Sequence, residues 1–106
     1  MQNKIEEVHN QDENGNPTGG GTIGCGIEIK WQDGPLGRGP ERRPPNGAFV
    51  EDVIRAAIGR ITFYQDSKFR CRENALALTH LQEALHWLEH STKDREARGV
   101  EGTHQE

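Results

Sequence analysis

Arg72-Glu73-Asn74-Ala75-Leu76-Ala77-Leu78-Thr79-His80-Leu81-Gln82-Glu83-Ala84-Leu85-His86-Trp87-Leu88 decides the fold of this chain. Leu78, Leu81, Leu85 and Leu88 step by three and four residues, which lines them up on one stripe of a helix in a heptad-like seam. Ala77 and Ala84 flank the seam and permit a neighbouring helix to come close. Upstream, Phe49, Val50, Val53, Ile54, Ala57, Ile58 and Ile61 recur at helical spacing. That pattern predicts an amphipathic helix over 48–65, with Asn46 as N-cap and Glu51 and Asp52 suited to the first turn. Asp66 to Cys71 forms a short connection, so the two helices make an antiparallel αα-hairpin. The second helix starts near Arg72 and stops before Gly99, a C′ residue, with Lys93, Arg95 and Arg98 suited to its last turn.

Outward from the hairpin, residues 1–47 hold all five prolines and most of the 13 glycines. Lys4 to Asn10 reads as a short strand, and Asn14-Gly15-Asn16-Pro17 is a turn signal. Thr22 to Gln32 reads as a second strand, with Ile23, Ile27, Ile29 and Trp31 as its larger apolar residues. Asp33 to Gly47 is a loop punctuated by glycine and proline. The expected fold class is α+β. A small N-terminal antiparallel β-hairpin or sheet precedes a long two-helix antiparallel hairpin, in one domain over 1–106 with a tail at 99–106.

Only 31% of the 106 residues are hydrophobic, which is poor material for a private core. Small domains of this kind often complete their cores by association, so an oligomer is expected. The formal net charge of −4 argues against binding a nucleic-acid polymer by phosphate neutralisation. No basic-then-apolar leader opens the chain and no apolar run approaches a membrane span. Cys25 and Cys71 form no C-x-x-C pair, so a reducing cytoplasm with both thiols free is the simplest expectation.

Within this acidic whole, Lys68-Phe69-Arg70-Cys71-Arg72-Glu73-Asn74 stands apart. Three cations and a ring meet the start of a helix, where exposed N–H groups already make the field positive. Such a site disfavours cations by roughly 0.3–1 kcal/mol each, and a bound anion reverses that penalty. A ring beside arginine also suits a base-plus-phosphate ligand. The plainer reading is a set of solvated loop residues.

Other motifs carry less. His86-Trp87-Leu88-Glu89-His90 matches the H-x-x-E-H zinc pattern, but only sixteen residues follow His90 to supply a third ligand and a cleft. It is read as a coincidence on a His-rich helix face, and no metal or other cofactor is expected. Thr18-Gly19-Gly20-Gly21-Thr22 lacks the Gly-Lys-Ser/Thr of a phosphate loop. That run and Gly24-Cys25-Gly26 are read as hairpin flexibility. Cys71, although flanked by Arg70 and Arg72, is read as a buried or inert thiol. No catalytic arrangement of side chains is recognisable. In the tail, Gly102 and Thr103 add a second turn after Gly99, with backbone donors and a hydroxyl near Arg95 and Arg98, which is useful chemistry around phosphates.

Four strings together carry a resemblance. They are Phe63-Tyr64-Gln65, Lys68-Phe69-Arg70-Cys71-Arg72-Glu73-Asn74-Ala75, Ala84-Leu85-His86-Trp87-Leu88, and Arg95-Glu96-Ala97-Arg98-Gly99-Val100-Glu101-Gly102-Thr103-His104. The chain resembles the phage anti-Thoeris sponges of the Tad type, which share a helical-hairpin domain with anti-CBASS sponges. The likeness runs from about Ile27 to His104 and includes Asn46-Gly47 followed by Val50-Glu51-Asp52-Val53-Ile54. It implies a non-enzymatic protein that sequesters cyclic ADP-ribose isomers without cleaving them. In some members it also implies trapping of cyclic di- or trinucleotides at separate sites, in dimers or in hexamers built as trimers of dimers. The chain departs from the family pattern at Ser91, where an arginine is usual, which bears on affinity and ligand choice.

Residue type and matched motif together suggest roles. Phe69 or Phe63 would stack on adenine, and Arg72, Arg95 and Arg98 would hold phosphates. Asn74 would bond a base edge or ribose hydroxyl, while Gly99, Gly102 and Thr103 would allow close backbone approach and small polar contacts. A helix of about 25 residues separates its two ends by roughly 35–40 Å. One straight protomer therefore cannot clasp a small nucleotide with both ends, and a two-fold homodimer with two composite pockets is expected. The rival expectation is a protein-binding adaptor that presents the hairpin to a host partner. A third, hydrolysis of the same signal, predicts altered ligand.

Overall fold

The computed structural model describes residues 4–105. Its contacts divide the chain into two compact units. One comprises the residues up to Phe49 together with those from Gly99 onward, and the other is Val50–Arg98.

In the first unit, β1 (Glu6–Gln11), β2 (Pro17–Gly24) and β3 (Ile27–Lys30) form an antiparallel sheet in the order β1-β2-β3. Asp12 organises the first turn. Its Oδ1 accepts the backbone N–H groups of Asn14 and Asn16 at 2.9 Å each. The sequence predicts one strand from Thr22 to Gln32, and here the structure differs. Gly24 pairs with Ile27 across a two-residue turn at Cys25-Gly26, with Gly26 at φ +75°. The apolar spacing of Ile23, Ile27 and Ile29 thus spans two strands and a reversal. The glycine run before it is strand rather than slack loop. At Gly20, φ is +135° and a Cβ would sit 2.0 Å from the Val8 carbonyl oxygen, so no other residue fits.

Trp31 bridges to Ala48, and backbone bonds of Ala48 with Lys30 and Gln32 at 2.7 and 3.0 Å join the sheet to the segment before the helices. Trp31 Nε1 donates to Thr22 Oγ1 at 2.9 Å, and Thr22 is the one buried residue among those described. Asn46 is not a helix cap. Its Oδ1 accepts the Asp33 N–H at 2.9 Å, and its own N–H donates to Gln32 Oε1 at 2.9 Å. These long-range bonds outcompete capping, and α1 starts four residues later, at Val50. The tail is fixed within the same unit. Arg42 grips both carboxylate oxygens of Glu101 at 2.5 and 2.8 Å, and Gly37 N–H donates to Gly102 O at 2.8 Å.

The second unit is the hairpin of α1 (Val50–Gln65) and α2 (Arg72–Arg98). Arg55 Nη2 donates to Glu89 Oε1 at 2.9 Å, and Gln65 reaches Cys71, which fixes the helices as antiparallel neighbours. Val53, Ile54, Ala57, Ile58 and Ile61 of α1, with Leu78, Leu81, Leu85 and Leu88 of α2, are half-buried, as the spacing predicts. Yet no apolar side chain among the described residues is buried outright. Leu76 is 43% exposed and Trp87 66% exposed on α2. The hairpin closes one seam and leaves another open.

Candidate ligand-binding site

Four of the nine expected site residues gather at the turn end of the hairpin. Phe63 lies in the last turn of α1, Phe69 in the connection, and Arg72 and Asn74 in the first turn of α2. The backbone of this end is well tied. Gln65 Oε1 accepts the Cys71 N–H at 2.9 Å while its Nε2 donates to the Cys71 carbonyl at 3.0 Å. Ser67 Oγ donates to the Tyr64 carbonyl at 2.6 Å and accepts the Phe69 N–H at 3.1 Å. Cys71 is exposed rather than buried, because its residue caps α2. Its Sγ accepts the Asn74 N–H at 3.4 Å, and its carbonyl accepts that of Ala75 at 3.2 Å. Sulfur is a weak acceptor, so the first turn of α2 keeps donor capacity for an anion.

Aromatic and cationic groups cluster at this end. Phe63 is 58% and Phe69 66% exposed. The Phe63 and Tyr64 rings meet edge-on with centroids 5.9 Å apart, and the Arg60 guanidinium lies over both, at 5.0 and 4.9 Å. Lys68 Nζ lies 5.3 Å from the Phe69 centroid. Three arginines elsewhere are matched with acids: Arg42 with Glu101, Arg55 with Asp52 and Glu89, Arg98 with Asp94. Arg60, Lys68, Arg70 and Arg72 have no carboxylate partner among the described residues. Four such cations close together at one end of an acidic chain produce a local positive field suited to an anion.

The other five expected residues lie elsewhere. Arg95 and Arg98 end α2, 27 residues long and so about 40 Å from its start. Arg98 Nε donates to Asp94 Oδ2 at 3.1 Å. Gly99, Gly102 and Thr103 belong to the sheet unit. Gly99, at φ +75°, is the C′ residue the sequence predicts. Gly102 is needed for packing, since a Cβ there would lie 2.5 Å from the Gly37 carbonyl oxygen. The Thr103 hydroxyl donates to the Val100 carbonyl at 2.5 Å. A separate hollow of about 480 Å³ on the sheet unit, lined in part by Val8, Gly21, Ile23, Lys30 and Trp31, includes none of the nine.

Arg60, Tyr64 and the Arg42–Glu101 clamp carry no role among the residues expected from sequence. The first two were readable, because Arg60 precedes Phe63 and Tyr64 by three and four residues on one helix. The clamp joins residues 59 apart and has no local signal. In the H-x-x-E-H stretch, His86 and His90 flank the Trp87 ring edge-on, at 5.4 and 5.9 Å. No three His, Cys, Asp or Glu side chains among the described residues converge on a metal position.

Fold and site together define a small α+β protein built on a long helical hairpin, cationic and aromatic at its turn. Residues 25–93 match the family model described as "Acb2/Tad1, hairpin domain", and the chain belongs to that family. It is also similar to a protein named "Thoeris anti-defense 1" from Bacillus phage SBSphiJ7, at 54% identity over 77 residues. That alignment covers 73% of this chain and 51% of the relative, so the chain spans about half the length of the curated relative it matches. No helix among the described residues is long and apolar enough to cross a membrane.

Proposed function

We propose that this chain is a phage anti-defence protein that captures a cyclic ADP-ribose isomer and holds it without cleaving it, so blocking Thoeris-type immunity. The observation that carries this reading is the company of exposed rings and unmatched cations at the hairpin turn, in a chain of this family. Phe69 or Phe63 stacks on the adenine, Arg72 and the first turn of α2 take the diphosphate, and Asn74 bonds the base edge or a ribose hydroxyl. These groups stack and donate. An arginine does not deprotonate in a protein, and neither phenylalanine nor asparagine is a nucleophile, so the set suits retention rather than turnover.

The pocket is completed by a second copy. Arg95, Arg98 and the Gly99–Thr103 tail of one protomer meet the turn end of its antiparallel partner, giving two equivalent sites per homodimer. Three such dimers can build a hexamer, with room for cyclic di- or trinucleotides at separate sites. Support comes from the hairpin itself, which buries no apolar side chain outright and leaves Trp87 open. The exposed Leu76 and Trp87 also favour a second reading, an adaptor that offers this face to a host protein. Calorimetry separates the two. The wild type is expected to bind a cyclic ADP-ribose isomer below micromolar, which requires more than about 8 kcal/mol. Arg72→Ala should abolish binding while preserving helix content and oligomeric state. Equal binding by Arg72→Ala removes that residue from the site, and no binding by the wild type favours the adaptor.

A further inference from the structure

Arg60 is a cation with an unusual setting. Its helical neighbours at three and four residues are Ala56, Ala57, Phe63 and Tyr64, so no carboxylate is within reach along α1. Both rings instead hold the guanidinium, at 5.0 and 4.9 Å, and its Nε donates to Tyr64 Oη at 3.1 Å. A guanidinium has five N–H donors, and the four on its two Nη groups have no acceptor among the described residues. The result is a planar, exposed fork already immobilised at its base. Long side chains normally lose rotamer freedom on gripping a ligand, and one held in advance loses less. The same stack shapes Phe63. With Arg60 over its ring, the aromatic surface left for a ligand is the part the guanidinium does not cover.

We propose that Arg60 is a further ligand-contacting and specificity-determining residue of the turn-end site. Its Nη groups take phosphate oxygens while the uncovered part of Phe63 receives the base. Planar, paired donation to phosphate is what arginine does and lysine does not. Arg60 therefore selects for a nucleotide carrying a diphosphate over an uncharged nucleoside. The inference rests on the sponge reading above and adds to it a residue outside the connection and α2.

Calorimetry with a cyclic ADP-ribose isomer at low and high salt, on the full chain, tests both separately. Arg60 is exposed, so Arg60→Gln is expected to keep its helix content by circular dichroism. It should bind about ten-fold or more weakly, the effect of losing a charge-assisted contact. Its affinity should also depend less on salt than that of the wild type, because one screened ion pair is gone. Arg60→Lys, which keeps the charge without the fork, should recover the salt dependence and only part of the affinity. Affinity of Arg60→Gln within two-fold of wild type overturns the proposal. So does weaker binding with an unchanged salt dependence, which would make Arg60 a mere prop for Phe63. If the wild type binds nothing, the sponge reading itself fails and Arg60 loses its role with it.

Discussion

At the scale of single residues, chemistry was more legible than geometry. Phe63, Phe69, Arg72 and Asn74 are expected site residues from residue type and matched motif, and the structure places all four at one end of the hairpin. Asn46 bridges loops instead of capping α1, because an amide that suits one task suits the other. Asp12 shows what a local polar cluster does to titration. Backbone donation from Asn16 is the main cause that lowers its pKa; desolvation opposes it, and smaller lowering contributions come from the Asn16 side chain, the Asn14 backbone and His104. A depressed folded pKa gives stability that is present above the unfolded value near 3.8 and is lost as pH falls through the folded value. NMR titration is expected to show the Asp12 carboxyl protonating below the ordinary aspartate range, with the Asn14 and Asn16 amides shifting together. A midpoint at or above 3.8 would show that the turn does not hold the carboxylate.

At the scale of elements, the helices were legible and the sheet only partly. The 3.6-residue period of α1 and α2 persists over several turns, so errors at the ends do not hide it. The start of α2 at Arg72 and the Gly99 stop are as the sequence predicts. The sheet is short, and its apolar residues are few, so a two-residue reversal at Cys25-Gly26 left no mark on the alternation. The connection between the helices depends on Gln65, whose amide satisfies both backbone groups of Cys71. Gln65→Ala removes both bonds and should cost about 1 kcal/mol, since water replaces them at this exposed site. For a chain of this size that lowers the melting temperature by about 4–8 °C. Ligand affinity should fall with it, because Phe69 and Arg72 flank the freed Cys71. An unchanged thermal melt would mean that the Ser67 bonds alone fix the connection.

At the scale of the whole molecule, low hydrophobicity gave the warning that the structure makes concrete. A chain with 31% hydrophobic residues buries no apolar side chain outright among those described. The sequence carries no signal for a partner of the exposed Trp87, since partner choice depends on shape and not on period. Burying a large side chain of this kind is worth about 1.5–3 kcal/mol, enough to matter at an interface. Trp87→Glu is therefore expected to dissociate the proposed homodimer into folded monomers in analytical ultracentrifugation, and to weaken ligand binding if each proposed pocket draws on both copies. A wild type that sediments as a monomer would instead support the adaptor. The central claim is retention without chemistry, and recovery of the ligand tests it most directly. A cyclic ADP-ribose isomer is incubated with excess protein, the free pool is measured, and the mixture is then denatured and quantified by mass spectrometry. The account predicts a depleted free pool before denaturation and full return of the unchanged molecule after it. A linearised or hydrolysed product, or a free pool that never falls, would contradict it.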